Sequence, residues 1–200
     1  MLRLSHLENI TWFHFPAFLT IDDDIGSGAG VVLLKPLEMA QEAHDDIYAV
    51  IRASACNNDG SRKVGFTAPS IDGQADVIRR AAMLAEIEPS DVSYVEAHAT
   101  ATPLGDPIEI AALAEVYGQS RTTPCRIGSI KSNIGHMETA AGIAGLIKTT
   151  LMLKHQSLVP SVGFKTPNPH IDFASARLSV QTEFQPWKTL DGSPRFAGVS

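Results

Sequence analysis

Two stretches of the chain, 92–118 and 126–155, run through the same order: a short apolar segment, a loop of small polar residues, and a segment able to form a helix. In the first, 92–97 (VSYVEA) reads as a strand, and LGDPIEIAALAEVYG follows as a helix closed by Gly118. Asp106, Pro107 and Glu109 fall at the N-cap, first and third helical positions, which predicts a capping arrangement. In the second, 126–130 (RIGSI) reads as a strand, and GHMETAAGIAGLIKTTLMLKH continues as a helix. Its first turns are almost all Gly and Ala, so it is expected to pack backbone to backbone. Strands alternating with helices at this spacing indicate an α/β layered fold.

The flanking sequence fits the same class. Val77, Ala81, Leu84 and Ala85 recur at helical spacing after Ser70, and Pro89 follows the helix. Upstream, 31–34 (VVLL) is the kind of run that makes a fully buried strand, and 47–55 alternates well enough to predict a second strand paired to it. The turn formers in CNNDGSRKVGFTAPS mark the best internal boundary. VPSVGFKTPNPHIDF reads as loop, and LSVQTEF and RFAGVS as late strands separated by a PWKTLDGSP turn. Residues 1–24, with Trp12, Phe13, Phe15 and Phe18 in no clear period, stay unassigned.

Composition narrows the function classes. With 44% hydrophobic and 19% charged residues the 200-residue chain can bury a core. The formal charge of −6, with no stripe of Lys and Arg, argues against nucleic acid as partner. No apolar run approaches the about 20 residues of a membrane span, and the amino terminus shows no secretory pattern, so the chain is read as cytoplasmic. Cys56 and Cys125 lie far apart and fit neither a disulfide framework nor a zinc site; both are expected to stay reduced.

Polar residues concentrate among small ones in VEAHATATPLGDPIE, in GSIKSNIGH and in the NNDG and GFTAPS pieces. Each follows a predicted strand, the edge where ligands collect in α/β folds. One histidine at a strand end is usually structural, but His98 and His136 occupy matching places and could face one pocket. A metal site is disfavoured because His98 and Asp106 sit across a Pro-Leu-Gly turn and no His has helical ligand spacing. GSIKSN lacks the spacing of a phosphate loop.

VEAHATATPLGDPIE resembles the VEAHGTGTxLGDPIE block of β-ketoacyl synthases, and GSIKSNIGHMETAAGIAGLIK resembles their GSxKSNIGHxExAAGxAGLIK block. The similarity is greatest to ketosynthase domains of modular polyketide synthases. NNDGSRKVGFTAPSIDGQADVIRRA and the closing FAGVS agree in order and spacing, so the likeness covers residues 25–200. It implies the thiolase-like layered αβαβα fold, represented mainly by its second half. On this reading 25–55 is a remnant of the first half and 56–200 the carboxy-terminal half.

The resemblance also implies a chemistry: decarboxylative Claisen condensation of acyl and malonyl-type thioesters on acyl carrier protein. His98 and His136 match the two histidines that hydrogen-bond the thioester oxygen of the extender. Lys131 matches the lysine supporting them, with Glu138 a nearby candidate partner. Thr100 and Thr102 match the threonines contacting the phosphopantetheine arm; two residues apart on extended backbone, their hydroxyls would point the same way. Asp106 and Glu109 are assigned to capping. No cofactor is expected on the chain itself, since the arm arrives on the carrier protein. The family's nucleophile sits in an elbow resembling TACSSS, which these 200 residues do not contain, and neither Cys56 nor Cys125 has such a setting. The isolated chain is therefore expected to need an amino-terminal ketosynthase half or an intact ketosynthase as partner, or to act only as an inactive binding module. Ala99 and Ala101 stand where the family usually has Gly, which would strain them if their backbones needed positive φ.

Overall fold

A computed structural model describes residues 26–58, 70–189 and 192–200. The expectations for residues 1–24 and for most of the loop after Asn58 lie outside the described residues. In chain order the helices are α1 (Leu37–Glu42), α2 (Ile71–Ala85), α3 (Gly105–Tyr117), α4 (Lys131–Ile134) and α5 (Ala141–Lys154). The strands are β1 (Val92–Glu96), β2 (Cys125–Gly128), β3 (Ser157–Leu158), β4 (Leu178–Val180), β5 (Gln185–Pro186) and β6 (Phe196–Val199).

A four-stranded parallel sheet in the order β4-β2-β1-β6 forms the centre. Its strand β1 shows why both faces must be covered. Side chains alternate across a strand, so Val95 and Ala97 face Ile110, Leu113 and Tyr117 of α3, while Tyr94 packs with Met152 of α5, Leu158 and Trp187. A register shift between Val92 and Tyr94 lets Val92 join the α3 side. Beyond α3 lies α2, in contact through Ala75, Ala112 and Val116, whose small side chains let the two helices approach. Ser70 caps α2, its Oγ accepting the Gly73 N–H at 3.1 Å. The α/β layering, the helices over 71–85, 105–117 and 141–154, and the strands at 92, 125, 178 and 196 thus follow the sequence pattern.

Four local expectations change. Segments 31–34 and 47–55 join no ladder among the described residues, and Val31 and Leu33 are 74% and 84% exposed. A strand requires a neighbour to take its N–H and C=O groups, and no strand pairs with these segments among the described residues; side chains fasten the second segment instead, Arg52 donating to the Ala85 carbonyl and Lys154 standing over the Tyr48 ring. The strand expected over 126–130 stops at Gly128, because the Ile130 N–H turns away to a side chain and 131–134 coils into α4. The run LSVQTEF leaves the sheet after Val180, and Gln185–Pro186 pairs antiparallel with Ser157–Leu158. In the Gly/Ala-rich helix, Gly145 does lie against β1, where a Cβ would come 3.0 Å from Glu96 Cγ, whereas Gly142 faces open space.

No helix among the described residues is long and apolar enough to cross a membrane. Because β1 and β2 are parallel neighbours with Glu96 opposite Gly128, the loops 97–104 and 129–136 leave the same edge of the sheet side by side.

Candidate functional site

Those two loops bring the predicted histidines together. The His98 and His136 rings stand edge-on, centroids 5.4 Å apart and planes at 87°. The Glu138 backbone N–H donates to His136 Nδ1 at 3.1 Å. An amide N–H can only donate, so Nδ1 carries a lone pair and the neutral ring holds its proton on Nε2. His98 receives the same instruction from a side chain: Lys131 Nζ lies 3.5 Å from its Nδ1, and an ammonium has no acceptor. Both rings are therefore set up to donate from Nε2.

Electrostatics favour a neutral His98. Its pKa is lowered from the ordinary histidine value by burial first and by the Lys131 ammonium next, with Glu109 pulling the other way. Burial also lowers Lys131, opposed by the carboxylates of Glu109, Glu96 and Asp106. The partner expected for Lys131, Glu138, is replaced by these three. Glu138 contributes its backbone to His136 instead, because it begins a short turn (Glu138–Ala140) with φ of 46°.

The capping assignments of Asp106 and Glu109 are also corrected. Helix α3 begins two residues earlier, at Gly105, and its first N–H is taken by Thr102 Oγ1 at 3.1 Å. Glu109, buried at 6% exposure, points back across the loop, where its two carboxylate oxygens accept the N–H groups of His98 and Ala99 at 2.7 and 2.8 Å. It clamps the backbone that presents His98. Asp106 has one oxygen, Oδ1, buried without a partner, and burial followed by the nearby Glu109 raises its pKa.

Thr100 and Thr102 do meet, with hydroxyl oxygens 3.4 Å apart, although the backbone between them is not extended. Ala99 and Ala101 have φ of 37° and 58°, the left-handed region that glycine enters freely. The loop needs this kink to turn β1 into α3 within eight residues while keeping both hydroxyls on one side. Replacing Ala99 or Ala101 by Gly relieves left-handed strain of order 1 kcal/mol but loosens the unfolded chain, so each substitution should stabilise by about 0.5 kcal/mol. Chemical denaturation of A99G and A101G measures it.

Neither cysteine is set up as a nucleophile. Cys125 is buried in the core, its thiol donating to the Val92 carbonyl, and burial pushes its pKa up to about 11. Cys56 is exposed, in the segment before α2. Three buried groups beneath the site escaped the sequence reading: Tyr94, Glu96 and Lys148, joined by hydrogen bonds of 2.6 to 2.9 Å. A carboxylate and an ammonium placed in otherwise apolar runs, VSYVEA and AGLIKTT, were the signal available for them.

Comparison with known proteins agrees with this geometry. Residues 48–165 match the family described as "Beta-ketoacyl synthase, C-terminal domain". The chain is 54% identical over 178 residues to a phenolphthiocerol/phthiocerol polyketide synthase of Mycobacterium tuberculosis, covering 88% of this chain and 12% of that protein. It is 47% identical over 178 residues to polyketide synthase PksL of Bacillus subtilis, covering 88% of this chain and 4% of the relative. Among solved structures, the ketosynthase from module 6 of the bacillaene synthase of Bacillus subtilis superposes with a TM-score of 0.78 at 46% identity, over 83% of this chain and 30% of that one. The chain therefore spans a small part of each relative, and its layered α/β architecture is that of the thiolase-like ketosynthases. From the two histidine loops, the family match and the superposition together, the chain belongs to the β-ketoacyl synthase family, as a carboxy-terminal ketosynthase segment.

Proposed function

We propose that this chain supplies the enolate-stabilising side of a polyketide-type β-ketoacyl synthase, acting on thioesters delivered by acyl carrier protein. The observation that carries the reading is the His98–His136 pair, two rings 5.4 Å apart with donors fixed on Nε2 by their Nδ1 partners. In the reaction, the bond between the extender's α-carbon and its carboxylate breaks, carbon dioxide leaves, and the electron pair passes into an enolate. His98 and His136 donate hydrogen bonds to the enolate oxygen as its charge grows; neutral rings held in place need no reorganisation at that moment. The enolate carbon then attacks the carbonyl of an acyl group held on a cysteine thiol, the new carbon–carbon bond forms, and the thiolate departs. Lys131 holds His98 in the donating tautomer. The Thr100 and Thr102 hydroxyls face the approach of the phosphopantetheine arm; Thr102 Oγ1 accepts from Gly105, leaving its own proton to donate.

The thiol comes from an amino-terminal ketosynthase segment carrying a TACSSS-like elbow. An apolar groove of about 760 Å³ runs along α5 from Met137, next to His136, to His155, and Ile143, Ile147 and Leu151 line it. It offers such a segment a surface within reach of the histidines. The test is to assemble the chain with that segment and follow carbon dioxide release from malonyl-acyl carrier protein. Release with formation of a β-ketoacyl thioester is expected; an assembled complex that releases none removes the reading. The same groove favours a second reading, binding without catalysis, which co-elution with an intact ketosynthase in the absence of decarboxylation would select.

A further inference from the structure

We infer that Glu96 and Lys148 form a positioning pair for the two histidines, the Glu96 carboxylate holding the Ile130 amide and thereby seating Lys131 and His136 against His98. The inference takes the histidines as the working pair, as proposed above. The two charged side chains are among the most enclosed polar groups of the structure, 3% exposed for Glu96 and 7% for Lys148. Glu96 uses both oxygens. Oε2 lies 2.7 Å from Lys148 Nζ and 2.6 Å from the Tyr94 hydroxyl, while Oε1 accepts the Ile130 N–H. Lys148 Nζ also reaches the Tyr94 hydroxyl at 2.9 Å, which closes the triangle.

Two glycines make room for this nest. A Cβ at Gly128 would stand 2.6 Å from the Tyr94 hydroxyl oxygen, 3.1 Å from Ser161 Oγ and 3.4 Å from Lys148 Nζ. A Cβ at Gly145 would stand 3.0 Å from Glu96 Cγ. The small residues of GSIKSN and AAGIAGLIK thus serve a buried ion pair as well as close packing. A buried pair of charges is a poor stabiliser compared with apolar residues of the same volume, so stability alone does not account for it. Its place does: Glu96 ends β1 two residues before His98, and the amide it holds immediately precedes Lys131. One carboxylate therefore ties the two site loops to each other and to α5. Glu96 also supports the Lys131 ammonium against burial.

The logic of two acceptors designs the test. Gln at 96 has one acceptor oxygen for the two donors, Ile130 N–H and Lys148 Nζ, so one N–H group must oppose another. In E96Q/K148M the ammonium is gone, and the amide can again accept from Ile130 while donating to Tyr94. The readout is the pH dependence of diethyl pyrocarbonate modification of each histidine in the full chain, followed peptide by peptide by mass spectrometry, with exposed His155 and His170 as internal controls. The charged and titratable groups facing His98 are Lys131, Glu109, His136 and Asp106. Loss of the Lys131 contact should raise the His98 midpoint in E96Q, read as a rate about twofold lower at the parental midpoint. His155 and His170 should stay unchanged, and E96Q/K148M should return to the parental profile. Parental His98 and His136 profiles in folded E96Q, or a double variant as altered as E96Q, would overturn the inference. Should E96Q fail to fold, E96D is read in its place, since a shortened carboxylate keeps the charge but withdraws from Ile130; loss of fold in both assigns the pair to structure alone and overturns the positioning role. The modification needs no turnover, so this outcome is independent of whether carbon dioxide is released.

Discussion

Replacing His136 by Ala lowers decarboxylation by the assembled ketosynthase about 10²–10³-fold, the loss seen when one prearranged donor is removed from a developing oxyanion. The expectation rests on the Glu138 N–H at His136 Nδ1, which in the neutral tautomer leaves Nε2 as the donor. Ala at 98 should cost a similar factor, and the pair should be less than additive because both donors serve one oxygen. The effect should fall on kcat rather than KM, since the oxygen becomes a strong acceptor only as the carboxylate leaves. The pH profile carries the same signature. His98 has a folded pKa below the ordinary histidine value of about 6.5, so it is neutral at pH 7, and activity should fall as pH drops through that lowered pKa. The linked stability has the same sign: between the lowered pKa and about 6.5 the unfolded chain binds more protons than the folded one. The contribution of neutral His98 is therefore present above about 6.5 and lost as pH falls through the folded pKa. Rate measurements and denaturation over this range test both.

Glu109→Gln is the second large effect. The carboxylate spends one oxygen on the His98 N–H and the other on the Ala99 N–H; an amide can accept only one and turns an NH₂ group against the other. Leaving a half-buried N–H unsatisfied costs about 1–3 kcal/mol, so E109Q should unfold about 2 kcal/mol more easily than the parent. Because the two amides belong to the loop that carries His98, activity in the assembled enzyme should fall further than stability does. Denaturant titration with kcat in parallel separates the two. Loss of stability with unchanged kcat would show that the clamp has no part in presenting His98.

The fold class and the meeting of the two histidines were legible in the chain itself. Alternating strand and helix segments place successive loops at one sheet edge, so His98, just after β1, and His136, beyond α4 in the loop that follows β2, come to the same edge. The roles of the acidic residues were not legible. Asp-Pro-x-Glu after a turn has the form of a helix cap, yet Glu109 reaches back to the strand end, because its neighbour in space is the loop that β1 delivers beside α3. Glu138 stands near Lys131 in sequence, but the turn at Glu138–Ala140 offers its backbone to His136, while Glu109, Glu96 and Asp106 surround the lysine. The strands read at 31–34 and 47–55 are apolar and alternating, but pairing is a property of two segments, and no partner lies beside them among the described residues.

Local features are written in the chain: apolar period, turn chemistry, and the spacing of motifs specific enough to mark a family. Which carboxylate faces which donor was decided only by tertiary structure. Glu96, Ile130 and Lys148 lie far apart along the chain and meet because β1 and β2 are neighbours in one sheet and α5 packs on its face. Burial there removes the water that would otherwise satisfy each charge, so every buried donor must take the acceptor that packing provides.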